Sequence, residues 1–268
     1  MNKFHDWTQF RDSSVYTKIL KDWENLLNDT SKKEQDYHSF LQSNPAIFLT
    51  VIESYIVISK LKLGNEFETD FVVVKEGYSE GTNYDIIEIE SPHTTLFDSK
   101  GKPSAKFNAA IQQIRDWRRW LIENKNGFKR ILPTVGTRVL KDSKLNFKII
   151  IGRRSENPLE LEKRRQISEE MNIEIISFDR LTDLAKYRRK FINETTIFSG
   201  QMDFDIDDMK KNQLANPFYE CIKHSEWRKI CNNVSSHIHT NLIDKIIETR
   251  TYNKYFEEYK NIASNNHE

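Results

Sequence analysis

Cysteine is almost absent from this chain. Its two copies, Cys221 and Cys231, lie in one late segment and cannot build a disulfide framework, so a reducing, cytoplasmic setting is expected. Glycine (8) and proline (6) are scarce, which excludes collagen-like and low-complexity chains. No run approaches the roughly 18 apolar residues of a membrane span, so no membrane association is expected. The opening MNKFHDWTQF is polar and mixed in charge, unlike a secretory leader. Zinc-finger spacing is missing too, because Cys231, His237 and His239 have no second cysteine pair beside them. The segment DFDIDD (203–208) opens like a calcium loop but carries Asp208 where such loops need glycine, and it reads as a solvated acidic loop. There is no internal repeat.

What is present is a chain of 268 residues, 37% hydrophobic and 30% charged, large enough to bury a substantial core. Net charge is +1, but it is unevenly spread. Residues 100–190 hold 23 Lys and Arg against 11 Asp and Glu, so this block carries +12 and the remainder −11. A basic block of that length attracts a polyanion by releasing its counterions. No helix-turn-helix signature accompanies it, which points to backbone contacts rather than base readout.

Apolar spacing predicts a helix over 15–28, through Ile19, Leu20, Trp23, Leu26 and Leu27. Thr30 and Ser31 offer caps for a second helix that Asn44-Pro45 stops. The runs 51–60, 66–75 and 84–90 are rich in β-branched and aromatic residues, and they predict an antiparallel meander. A long helix follows over 104–124, with Phe107, Ile111, Ile114 and Leu121 as its core stripe. NFKIIIG (146–152) reads as a buried central strand. A helix over 158–171 comes next, then a strand at 173–178, then a helix capped by Asp179. Antiparallel strands followed by a βαβ unit predict a mixed α/β sheet, in αβββαβαβ order, covered by helices on both sides. From about residue 195 the chain turns acidic, then reads as two or three short helices. The expected division is a helical segment 1–30, a central domain 31–190 and a helical segment 191–268.

The informative acids lie on two neighbouring strands. Asp70 interrupts the apolar run TDFVVV. In YDIIEIE, side chains alternate between faces, so Glu88 and Glu90 point one way while Asp85, Ile87 and Ile89 point the other. If the two strands pair, Asp70 and Glu88 converge. Carboxylates gathered on a sheet face are costly unless paired or bound to a cation, and hard oxygen donors suit Mg²⁺. The plainer reading is an open sheet face with ordinary exposed acids.

TDFVVV followed by DIIEIESP resembles the motif of the PD-(D/E)XK nuclease superfamily, whose core is restriction-endonuclease-like. The closer resemblance is to the Shedu nuclease domain of bacterial anti-phage defence. It rests on EQDYHSFLQSNPAIF, EIESP, AAIQQIRDWRRWL, FKIIIGRR and IISFDRLTDLAK, in order over roughly residues 30–190.

This resemblance implies a Mg²⁺-dependent DNA endonuclease, with Mn²⁺ as a substitute. Asp70 and Glu88 match the metal-binding acids, with the Ile89 carbonyl completing the protein ligands and Glu34 reaching the metal through water. Gln113 and Trp117 match a Gln-xxx-aromatic helix motif. One departure stands out: the position where the family has lysine holds Glu90. A carboxylate there would act as base or ligand, and Lys106, seven residues before Gln113 on one helix face, is the candidate cation. Arg118, Arg119, Arg153 and Arg154 are the expected phosphate contacts. DNA and further copies of the chain are the expected partners. The alternative is a degenerate nuclease-fold module that only binds nucleic acid or assembles an oligomer.

Overall fold

The computed structural model describes residues 14–51, 54–76, 81–124, 134–135, 145–186 and 238–239. The expected helices within 191–268 and the loop 203–208 lie outside the described residues.

Helix α1 (Ser14–Asn28) buries Val15, Tyr16, Ile19, Leu20, Trp23 and Leu27, the spacing of a single helical face. Helix α2 (Glu34–Ser43) starts two residues later than Ser31 suggests. Ser31 instead donates its hydroxyl to Asp29 (2.6 Å), and Asp36 caps the helix by accepting the Lys33 N–H at 2.8 Å. Pro45 opens a single turn, α3 (Pro45–Phe48).

The sheet follows: β1 (Ser54–Ser59), β4 (Phe71–Glu76), β5 (Thr82–Ile89), β7 (Leu145–Ile150) and β8 (Glu174–Ile176), side by side in that order. The first three are antiparallel; β5, β7 and β8 are parallel. Helix α4 (Ala105–Glu123) links β5 to β7, and α5 (Pro158–Met171) links β7 to β8. The chain is helical again over 178–186, which we call α6. The fold is mixed α/β, in the order the sequence predicts.

One run departs from expectation. Residues 66–75 are not a single strand. Phe67–Glu68 (β3) folds back on Lys62–Leu63 (β2) as a separate hairpin, and β4 begins only at Phe71. Asp70 therefore sits in the bend before β4 rather than inside the strand. Two left-handed residues make the reversal, Lys60 (φ 54°) and Gly64 (φ 64°). A two-residue pair, β6 (Thr134–Val135) with β9 (Ile238–His239), brings part of the late segment back to the domain as strand.

Each face of the sheet carries its own core. Val72, Val74, Tyr84, Ile86, Phe147 and Ile149 pack under α4, against Phe107, Ile114 and Trp117. Val57, Phe71, Val73, Ile87, Ile89 and Ile150 pack under α1, α2 and α6. Trp23 Nε1 donates to Thr182 Oγ1 (2.9 Å) and the Tyr16 hydroxyl to the Ala185 carbonyl (2.8 Å), joining α1 to α6. Among the described residues, no helix is long and apolar enough to cross a membrane.

Gly64 gives a direct test of the hairpin. A Cβ at this position would lie 3.2 Å from the Trp120 ring, in a left-handed backbone that side chains resist. Gly64→Ala is expected to lose about 1–2 kcal/mol in denaturant unfolding, with an unchanged far-UV spectrum.

Candidate active site

The register of β4 on β5 builds the site. Phe71 lies opposite Ile87, so the next positions along each strand, Asp70 and Glu88, come together on the α4 face. Both are buried, at 6% exposure. Glu90 follows on the same face just beyond β5. Its N–H donates to the Ile150 carbonyl, which prolongs the strand by one bond. Ser104 caps α4 by accepting the Phe107 N–H (3.2 Å), and this sets the helix phase that turns Lys106 and Gln113 toward the acids. Glu34 enters from the first turn of α2.

The contacts are specific. Asp70 accepts the Ile89 N–H on Oδ2 (2.8 Å) and the Lys60 ammonium on Oδ1 (2.5 Å). Its own carbonyl accepts the Lys60 N–H at 3.0 Å. Gln113 Nε2 donates to Glu88 Oε2 (3.1 Å). Lys106 Nζ is 3.6 Å from Glu90 Oε2, an atom that is buried and takes part in no hydrogen bond. His38, one turn after Glu34, stacks on Phe71 with ring centroids 4.6 Å apart. Its Nε2 lies 3.4 Å from the Asp70 carbonyl.

Crowding decides which acids keep their protons. Burial pushes Glu88 up to about 10, helped by the neighbouring charges of Asp70, Glu90 and Glu34 and by a hydrogen bond to Asp70. Burial also lifts Glu34 to about 7, with Glu90 and Asp70 adding to it and Lys106 opposing. Burial, then the Lys60 ammonium, holds His38 below its ordinary value.

The structure thus gathers Glu34, Asp70, Glu88, Glu90, Lys106 and Gln113 at one end of the central strands. Two participants were not foreseen. His38 had a visible signal, its four-residue spacing from Glu34 on one helical face. Lys60 had none, since SYIVISK reads as strand to its last residue. The four arginines are engaged within the fold. Arg118 donates to the Met171 and Asn172 carbonyls (2.9 and 3.1 Å) and covers the Phe147 ring, and Arg119 pairs with Asp116. Arg153 grips Asp179 and the Leu27 carbonyl, and Arg154 pairs with Asp183. Asp179, expected as a cap, lies in the first turn of α6 as the partner of Arg153.

The donor set suits a hard divalent cation. Four carboxylates crowd together, two of them hold protons against their tendency to ionise, and Glu90 offers a buried oxygen without a hydrogen bond. As placed, the acids share protons with one another and Lys60 occupies Asp70. Accordingly, among the described residues no group of three or more His, Cys, Asp or Glu is set to hold a metal ion. A cation would enter by displacing protons and drawing Asp70 from Lys60.

That exchange has a pH signature. Above the ordinary glutamate value of 4.5 the unfolded chain releases protons that the fold keeps, so stability falls as pH rises. His38 works in the opposite sense below 6.5, where the unfolded chain gains a proton that the fold refuses. Glu34 levels off near 7, leaving Glu88 to dominate above that. Calorimetric melting without metal should therefore drop from about pH 7 to about pH 9. Mg²⁺ or Mn²⁺ should flatten the decline, as should Glu88→Gln.

No curated protein matches the chain. The family model described as "Shedu protein SduA, C-terminal" matches residues 31–182, which contain every acid of the site. The chain belongs to the Shedu family.

Proposed function

We propose that this protein hydrolyses DNA phosphodiesters with the help of a divalent cation. Family membership associates the chain with anti-phage defence. The observation that carries the hydrolytic reading is the meeting of Glu34, Asp70, Glu88 and Glu90 with Gln113 and Lys106 at the end of the central strands.

Asp70 and Glu88 are the residues that would hold the cation, with Glu34 next to them. When bound, a divalent ion supplies positive charge to a phosphate oxygen and acidifies water, Mg²⁺ being the natural choice for oxygen donors and Mn²⁺ a substitute. Glu90 stands where a water proton can be accepted. Its Oε2 is buried and takes no hydrogen bond, which leaves that oxygen a place to receive one from water. Gln113, fixed on Glu88, restrains that carboxylate and can orient water or phosphate through its amide oxygen. The bond from water to phosphorus forms as the bond to the leaving sugar oxygen breaks. The water proton passes to Glu90, and the leaving oxygen takes a proton from solvent.

The chain leading into α4 is basic. Lys100 and Lys102 are exposed on the loop before α4, and Lys106 lies in its first turn. With the arginines already paired to carboxylates and carbonyls of the fold, these lysines are the better candidates to meet the DNA backbone. A second reading keeps the fold and drops the chemistry: a module that binds nucleic acid without cutting it. It is favoured by the carboxylates' being closed on one another and on Lys60.

Cleavage assays of plasmid and linear DNA with Mg²⁺, Mn²⁺ or EDTA separate the two. The parental protein should cut with metal and not with EDTA. Asp70→Ala should be inactive yet melt, without metal, no more than slightly below the parent. Glu90→Gln should bind DNA normally and cut at least ~100-fold more slowly, the lower end of a general-base contribution. Retention of parental rates by Glu90→Gln would remove that residue from the chemistry.

Binding has its own test. Affinity measured with Ca²⁺ should fall steeply with salt, with a log-log slope of about −0.9 per neutralised phosphate. Charge reversal at both Lys100 and Lys102 should reduce that slope by about two, equally for unrelated DNA sequences. A strong preference for one short sequence would contradict backbone recognition.

A further inference from the structure

Resting on the hydrolytic reading above, we propose that Lys60 is a catalytic residue. Its ammonium is a positive charge that the chain reversal after β1 places beside the acids, where it can meet the scissile phosphate.

The first observation is backbone conformation. Among the described residues, only Lys60 (φ 54°) and Asn172 (φ 48°) adopt a left-handed backbone without being glycine. Asn172 closes a helix, where asparagine commonly takes this shape. Lys60 has no such excuse. A non-glycine residue is disfavoured there, and glycine would relieve the strain. The strain is held in place by two bonds of the chain reversal, Lys60 N–H to the Asp70 carbonyl and Thr69 N–H to the Leu61 carbonyl.

The second observation is where that strain sends the side chain. Lys60 Nζ reaches Oδ1 of Asp70 at 2.5 Å, so main chain and side chain of one lysine hold both ends of one acid. The bland reading is a surface ion pair, which would be worth little. Surface pairs do not commonly require a left-handed lysine on one side and a 6%-exposed aspartate on the other. The lysine side chain is 42% exposed, so a group paired with a buried acid still keeps access to an incoming polyanion.

The third observation compares the rival. Lys106 is 60% exposed and stands 3.6 Å from Glu90, a looser contact made from a helix surface. Of the two lysines at the acids, Lys60 is the one whose position is determined by the fold.

Its action is electrostatic. As the water–phosphorus bond forms and the bond to the leaving oxygen breaks, charge grows on the non-bridging oxygens. A preplaced ammonium stabilises that charge more than it stabilises bound substrate. Lys60 keeps its own protons throughout. The water proton goes to Glu90, and the leaving oxygen is protonated by solvent.

The test uses the full chain with Lys60→Gly, which relieves the backbone, and Lys60→Gln, which keeps side-chain length without charge. Plasmid cleavage, Mn²⁺ binding by calorimetry and metal-free melting are measured on each. Both variants should bind Mn²⁺ at least as tightly as the parent, since a competing ammonium is gone, yet cleave at least ~100-fold more slowly. Added ethylammonium should raise the rate of Lys60→Gly by about 10-fold or more and leave Lys60→Gln unchanged, because only glycine leaves space for it. If either folded variant cuts at the parental rate, or if both lose Mn²⁺ together with activity, Lys60 is not catalytic. The underlying reading fails separately, when the parental chain binds no Mn²⁺ and cuts no DNA, and the proposal falls with it.

Discussion

The site exists because β4 and β5 pair in one register. With Phe71 opposite Ile87, Asp70 and Glu88 meet on the face covered by α4. A slip of one residue would send Glu88 and Glu90 into the opposite core, among Phe71, Val73 and Trp23, where an ionised acid has no partner. The register is therefore secured by what it avoids as much as by what it makes. Apolar residues alternate on both faces of both strands, so two cores, not one, resist the slip.

The same arrangement concentrates negative charge where the metal-free fold is least comfortable. Glu88 and Glu34 respond by retaining protons, and Asp70 by taking an ammonium. Such a cluster is a poor stabiliser and a good receptor for positive charge, the usual compromise at a functional centre. The surrounding structure offsets the cost. Trp23, Trp117, Tyr37 and Phe107 are fully buried on the two sides of the sheet. Arg153 ties the loop after β7 to α1 and α6 at once.

The basic block between 100 and 190 divides on folding into two populations. Its arginines at 118, 153 and 154 serve the fold, closing a helix end and bracing loops, while Arg119 pairs with Asp116 along α4. Lys100, Lys102 and Lys106, on the loop before α4 and in its first turn, remain exposed. The planar guanidinium satisfies several carbonyls and carboxylates at once, which suits Arg118 and Arg153 to such bracing. Charge counted along a sequence measures attraction for a polyanion, but it does not say which residues are left to exert it.

By itself the sequence determined the element order, the mixed sheet and the face shared by Glu88 and Glu90, because periods of two and 3.6 residues are written directly in the positions of apolar side chains. It also determined the phase of α4 that aligns Lys106 with Gln113, and the family resemblance that the match over 31–182 supports. Tertiary structure alone decided that 66–75 breaks into a hairpin and a strand, that Asp70 lies in the bend between them, and that Lys60 reaches it. A left-handed lysine leaves no mark on local pattern. Its conformation is imposed by two hydrogen bonds, Lys60 N–H to the Asp70 carbonyl and Thr69 N–H to the Leu61 carbonyl, and only the closed chain brings these residues together. The duty of Arg118, Arg153 and Arg154 was hidden for the same reason: their partners, from Leu27 to Asp183, become neighbours only when the helices have packed on the sheet.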